Sequence, residues 1–224
     1  MGYHIDTGLI YEKFNTECDC PLCEIKQIVE EQFLYEFLND AVMEDNTRIQ
    51  VGKKGFCERH FDMLFARPNK LSVALQVHTR LDKMLPLLNI NGNINAKKTA
   101  DKIENSVDSC VICDLVQESM IKYYKTIAQM YLNEKRFYKI LLSSKGFCTK
   151  HYAELIRYSK FASFAKKDYL NVLSTIQMRS YQQTLKDLKD FCDSHDYRNA
   201  YKPLGSAENA LPNARTKLYS KKYE

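Results

Sequence analysis

The chain has no run of about 18 apolar residues such as a membrane helix requires, and no tryptophan among its 224 residues. Residues 1–14 contain His4, Asp6, Glu12 and Lys13 and no apolar stretch of signal-peptide length. Met1-Gly2 lacks the serine or threonine of a myristoylation motif, since Asp6 stands at the sixth position. No strand-like alternation runs through the sequence, which argues against a β or α/β fold. There is no glycine-rich phosphate loop, no nucleophile–base arrangement and no paired-acid motif, so no reaction class can be named. Basic residues are not gathered in one stripe. The net charge of +5 comes from lysine pairs scattered along the chain, Lys53-Lys54, Lys97-Lys98, Lys166-Lys167 and Lys221-Lys222. Such weak, dispersed charge does not by itself predict nucleic-acid binding.

What the chain does have is a doubled cysteine–histidine pattern. Cys20-Pro-Leu-Cys23 is followed by Gly55-Phe56-Cys57-Glu58-Arg59-His60, and Cys110-Val-Ile-Cys113 by Gly146-Phe147-Cys148-Thr149-Lys150-His151. The spacings are C-x2-C-x33-C-x2-H and C-x2-C-x34-C-x2-H. Two ligands separated by two residues can face one ion across a tight turn or helix start, and such pairs are the usual half-sites of tetrahedral zinc. Helix starts also present N–H groups that stabilise thiolates. Gly55 and Gly146, two residues before a ligand cysteine, fit a backbone turn that other residues resist. Phe56 and Phe147 are placed to pack beneath the sites.

The expected pairing is local: Cys20, Cys23, Cys57 and His60 around one ion, and Cys110, Cys113, Cys148 and His151 around another. Two Zn2+ per chain is the reading, with an iron–sulfur cluster as the alternative because three thiolates and a histidine can also hold one. With all four positions filled by protein, either site would be closed and structural. Two such zinc centres would bring the chain to a net charge of about +3. Cys18 is either a spare thiol beside the first site or a replacement for Cys20. Cys192-Asp-Ser-His195 is a third C-x2-H without a second cysteine pair, and His78 reads as an ordinary helix residue.

The apolar spacing predicts an all-α protein of duplicated helical hairpins, each clipped by a Cys3His site. Residues 1–19 form a lead-in with a short helix through Leu9, Ile10 and Phe14, capped by Asp6 or Thr7. The first repeat spans 20–88, with a helix from Cys23 to about Met43 whose glutamates face away from the apolar stripe. After it, residues 45–56 must return to Cys23, a distance of roughly 30 Å that an extended strand of chain covers. A further helix runs from Leu71 to Leu88 on Ala74, Leu75, Val77, Leu81 and Leu85, with Pro86 ending or bending it. Asn91-Gly92-Asn93 marks a linker over 89–100. The second repeat spans 101–199 and contains the longest amphipathic stretch, 165–191. Residues 200–224 are expected to be extended or mobile.

The order of motifs resembles an uncharacterised prokaryotic domain-of-unknown-function family, similar in its C-P-x-C followed by G-F-C-x-x-H. Tyr3-His4-Ile5-Asp6-Thr7, Thr47-Arg48 and His195-Asp196-Tyr197-Arg198-Asn199 extend the resemblance across residues 3–200. It implies a duplicated helical protein and carries over no activity. His4, Asp6, Arg48, His195, Asp196 and Arg198 are the residues that would line a polar pocket if the chain ends meet, the bland alternative being salt bridges that anchor the C-terminal segment.

The leading functional reading is a cytoplasmic, non-enzymatic binding or scaffolding protein with an unknown protein or small-molecule partner and no membrane association. Nucleic acid is a further candidate partner. The alternatives are a redox-sensing, metal-handling or iron–sulfur protein, or an enzyme built on the polar pocket.

Overall fold

A computed structural model describes residues 5, 7–90, 95–196 and 204–221. It is helical, with no strand among the described residues. In chain order the helices are α1 Gly8–Asn15, α2 Pro21–Leu38, α3 Asp45–Lys54, α4 Glu58–Phe65, α5 Lys70–Leu88 and α6 Ala96–Val107. Then come α7 Val111–Asn133, α8 Lys135–Ser143, α9 Thr149–Arg157, α10 Lys166–Ser194 and α11 Ala210–Tyr219. Short 3-10 segments cover Asp40–Met43, Ser159–Ala165 and Gly205–Asn209. No described helix is long and apolar enough to cross a membrane.

The chain forms two compact units that do not follow the expected halves. One comprises Met1–Gln27 with Met120–Glu224, and the other is Ile28–Ser119. The boundaries fall inside α2 and α7, not in the expected linker 89–100, and the last part of that stretch already belongs to α6. The reason is length. At the usual rise, α2 with 18 residues extends about 27 Å and α7 with 23 about 34 Å. Helices this long carry the chain from one core into another.

In the 28–119 unit, α3, α4 and α6 pack on α5. The core includes Val29, Leu34, Phe37, Val51, Leu64, Val73, Ile112 and Val116. The Arg80 guanidinium of α5 donates to the carbonyls of Gly52 (2.9 Å) and Lys53 (2.8 Å) at the end of α3 and of Ser106 (2.6 Å) in α6. It thereby satisfies helix-terminal carbonyls that would otherwise lack partners. The leucines that mark α5 in the sequence do not face this core. Leu71, Leu75, Leu81, Leu85 and Leu88 are exposed, while Ser72, Val73 and Gln76 are buried. Gln76 takes its inward place by donating to the Phe37 carbonyl at 2.6 Å.

In the other unit, α10 packs against α9, α11 and the two later 3-10 segments, and α1 lies on α8. Ile10, Phe14, Leu22, Ile25, Ile127, Phe137, Phe147, Leu155, Tyr169 and Leu173 form its interior. Phe14 meets Phe137 and Phe147 at ring distances of 5.4 and 6.2 Å. Arg179 of α10 donates to the carbonyls of Leu142 and Ser144 at 2.7 and 3.0 Å, pinning the end of α8 as Arg80 pins α3. The segment 200–224 departs from expectation: it includes α11, held by α9 and α10 through the buried Ala207, Ala210 and Lys217. Small alanines and one lysine gave it little apolar periodicity to read.

Candidate metal centres

The cysteines and histidines of the doubled motif gather into two groups, but not in the local pairing the spacing suggested. Centre I is Cys20, Cys23, Cys148 and His151; centre II is Cys57, His60, Cys110 and Cys113. Each takes its C-x2-C from one motif set and its C-x2-H from the other. The cause lies in the return segments. Residues 45–54 are helical, so α3 advances only about 15 Å along its ten residues where an extended chain would cover twice that. Cys57 and His60 therefore stop beside the middle of α2, where His60 meets Glu30, and never reach Cys23. In the second set α8 is equally short, and the His151 ring lies 6.2 Å from that of Tyr124, midway along α7.

Local geometry presents the ligands as the motifs require. Both cysteine pairs straddle a helix start: Cys23 N–H donates to Cys20 O and Asp114 N–H to Cys110 O, at 3.0 and 3.2 Å. Pro21 suits the first helical position, where its missing N–H costs nothing. Cys57 and Cys148 are the N-cap residues of α4 and α9. Gly55 and Gly146 have φ of +66° and +91°. A Cβ on Gly55 would come within 2.7 Å of Arg80 Nε, and one on Gly146 within 2.6 Å of Ser180 Cβ. The Gly55 carbonyl accepts from Val111 N–H at 3.0 Å, tying the two half-sites of centre II together. In centre I, the side chain of Gln177 pairs with both backbone groups of Phe147, accepting at 3.1 Å and donating at 2.9 Å.

All four ligand atoms of each group lie within 4.8 Å of one another. In centre I His151 Nδ1 is 3.4 Å from Cys20 Sγ and Cys23 Sγ and 3.2 Å from Cys148 Sγ, and Cys23 Sγ is 3.8 Å from Cys148 Sγ. In centre II His60 Nδ1 is 3.3 Å from each of the three sulfurs, with Cys57 Sγ and Cys113 Sγ 3.8 Å apart. These donors fit a single tetrahedral metal ion.

Electrostatics point the same way. In centre I, hydrogen bonds from Cys20 and Cys23 hold the Cys148 thiol far below its usual range. Burial drives Cys20 well up, and the hydrogen bond between Cys23 and Cys148 pushes Cys23 up to about 12. In centre II burial opposes ionisation of Cys110, but the His60 hydrogen bond brings its thiol down to about 6. Partial desolvation of its sulfur and the neighbouring thiolates raise Cys113, although the residue is exposed at its edge. In each cluster one thiol is brought down while a neighbouring thiol is pushed up, so a cation is what allows them to ionise together.

The surroundings of the two centres differ. Every ligand of centre I is buried; in centre II Cys57 is half-buried and Cys113 exposed. Centre II orients its histidine with a carboxylate: His60 Nε2–H donates to Glu30 Oε1 at 3.0 Å, and Arg59 donates to both Glu30 oxygens at 2.7 and 2.6 Å. Burial would raise Glu30, yet these bonds hold it down to about 2. Burial likewise works against His60, but Cys110 and Glu30 lift it to about 9. In the second motif set the residue seven beyond the second cysteine is Met120, fully buried.

Centre I is instead closed by α11. Lys217 Nζ, buried, donates to the Asp19 carbonyl at 2.6 Å and the Lys145 carbonyl at 2.7 Å, so it joins the loops carrying Cys20 and Cys148. Burial lowers its pKa, while Asp19 and the nearby thiolates pull it back. Thr149 Oγ1 donates to Lys217 O at 2.8 Å, Ser220 Oγ lies 3.2 Å from Cys148 Sγ, and Lys221 pairs with Glu24 at 2.8 Å.

Glu30, Arg59, Lys217 and Ser220 were not singled out by the sequence. Glu30 had a signal: seven residues after Cys23, it shares that cysteine's helix face instead of turning outward with the other glutamates. Cys18 is not in the ligand group of centre I: it is half-buried with its Sγ 3.8 Å from Lys13 O, and Cys20 is the ligand-group member. Cys192 is exposed. Of the polar-pocket residues, Arg48 is exposed on α3. His195, exposed at the end of α10, has Nδ1 2.9 Å from Phe191 O, and Asp196 follows it half-buried. His4, Asp6 and Arg198 lie outside the described residues. His78 is exposed.

No curated protein and no solved structure matches the chain. A family model matches residues 1–224, so the chain belongs to a family of unknown function, DUF6062.

Proposed function

We propose that this is a two-zinc helical scaffold: a duplicated chain in which two closed Cys3His centres fix the helices so that their outer surfaces can bind a partner. The observation that carries this is the ligand spacing. Zn–S and Zn–N bonds of about 2.3 and 2.0–2.1 Å in a tetrahedron set sulfurs about 3.8 Å apart and sulfur about 3.5 Å from nitrogen. The Sγ–Sγ distances of 3.8 Å and Sγ–Nδ1 distances of 3.2–3.4 Å follow that pattern. An iron–sulfur cluster gives ligands different irons and spreads them further, which weighs against the alternative. Four protein donors leave no open coordination position, which suits a structural role over a catalytic one.

Zinc would cross-link segments 131 residues apart in centre I and 53 apart in centre II, and closing loops of that length is where a clip stabilises most. The parallel pinning by Arg80 and Arg179, and the positive φ at Gly55 and Gly146, support internal duplication. The exposed leucine face of α5 supports a binding role, since contiguous exposed apolar surface marks interaction sites. Eight cysteines without a disulfide suit a reducing compartment such as the cytoplasm.

The test is metal content and a visible spectrum on protein purified without oxygen. About two zinc ions per chain and no colour are expected. Brown protein containing iron and sulfide, or protein without metal, contradicts the proposal.

A further inference from the structure

Resting on the two-zinc reading, we propose that centre II is a hydroperoxide-sensitive thiol site, in which Cys57 and Cys113 are oxidised to a disulfide and the metal is released while centre I is spared. Three observations converge on that pair. Cys113 is exposed and Cys57 half-buried, whereas Cys110 and His60 are 4% and 1% exposed. Their sulfurs lie 3.8 Å apart, close enough to join after a small side-chain rotation. The half-exposed Arg59, two residues beyond Cys57 in the first turn of α4, presents a guanidinium fixed by Glu30. Access to an oxidant and a neighbouring cation are the two conditions that make a thiolate reactive.

Centre I meets neither condition in the same way. Its three cysteines are at most 1% exposed, Lys217 is buried with its ammonium committed to two carbonyls, and the more exposed Lys221 is paired with Glu24.

The chemistry balances on protein thiolates and one hydroperoxide. The Cys113 thiolate attacks the outer peroxide oxygen, the O–O bond breaks, and the alkoxide or hydroxide leaves with a proton from solvent, giving a sulfenic acid on Cys113. The Cys57 thiolate then attacks that sulfur, the S–S bond forms, and hydroxide leaves as water with a second solvent proton. Two electrons pass from the two sulfurs to the peroxide, and zinc, which has no redox chemistry of its own, stays divalent. Cys110 and His60 alone are too few ligands to retain the ion.

The test uses the full chain loaded with zinc, with Cys18→Ser and Cys192→Ser to remove the two thiols outside the centres. Stoichiometric hydrogen peroxide, or tert-butyl hydroperoxide in a parallel arm, is added in the presence of a chromophoric chelator, and disulfides are mapped by peptide mass spectrometry. The same mapping on the unsubstituted chain keeps the result independent of how the double variant folds. We expect about one zinc ion released per chain, a Cys57–Cys113 cross-link, and Cys20, Cys23 and Cys148 still protected from alkylation. Release from centre I first, release of both ions together, or a Cys110–Cys113 cross-link overturns the proposal. A chain that binds two zinc ions and keeps both under oxidant overturns it alone. A chain that binds none before oxidant is added overturns the two-zinc reading as well.

Discussion

Centres I and II have the same four donors, near-equal spacings and the same helix-start presentation, yet they are finished in opposite ways. Centre I is closed from outside, by α11 and the residue that follows it, whose Lys217 and Ser220 reach its loops and its sulfur. Centre II is braced by its own long helix, through a Glu30 that orients His60 and is itself held by Arg59. The lesson is that donor geometry and donor protection are separable. Local motifs set the first; distant chain segments and single buried charges set the second.

The comparison breaks most sharply if a ligand of the protected centre is removed. Cys148→Ser should cost one metal ion and folding free energy of the order of 10 kcal/mol, enough to unfold the unit of residues 1–27 and 120–224. Helix content by circular dichroism with metal analysis checks this. Retained helicity with one ion lost would mean that centre I is dispensable.

Next in size is Lys217→Met, which keeps the length of the side chain and leaves the Asp19 and Lys145 carbonyls without their charged donor. Loss of about 3 kcal/mol is expected, together with faster chelator-driven release from centre I and an unchanged rate from centre II. Urea unfolding and two-phase release kinetics measure both. Glu30→Gln is the mirror experiment. It should weaken metal binding at centre II by roughly 10–100-fold, as loss of a carboxylate behind a ligand histidine commonly does, and leave centre I alone. Competition with a metal indicator reads the difference.

These variants also separate what could be read in the sequence from what could not. The eight side chains that the structure gathers are those the C-x2-C and C-x2-H spacing singles out, because such spacing is a local property of turns and helix starts. Their partners were not readable, because partnership depends on whether residues 45–54 return extended or helical. A helix covers under half the distance per residue, and that alone moves His60 from Cys23 to Glu30. The long helices were legible from apolar period, as α2 and α10 show. The α5 leucines were misleading: apolar period names a face, not the body it packs against. Lys217 was hidden for the converse reason, since a buried lysine in a polar tail looks like solvated surface.

The smallest expected effect is a pH dependence. Glu30 has its carboxyl held down to about 2, below the ordinary 4.5. Its contribution to stability is therefore fully present above 4.5 and is lost as pH falls through about 2. The difference in Tm between wild type and Glu30→Gln should stay constant from neutral pH down to that upper value and narrow below it. A difference that narrows already near neutrality would point to another group.

The exchange of half-sites between the two motif sets is the central claim, and it can be observed directly. In protein loaded with isotopically enriched cadmium, proton–cadmium correlation spectra connect each ion to the β-protons of its cysteines and the ring protons of its histidine. One cadmium should correlate with Cys20, Cys23, Cys148 and His151, and the other with Cys57, His60, Cys110 and Cys113. A cadmium that correlates with Cys20, Cys23 and Cys57 together would contradict the account.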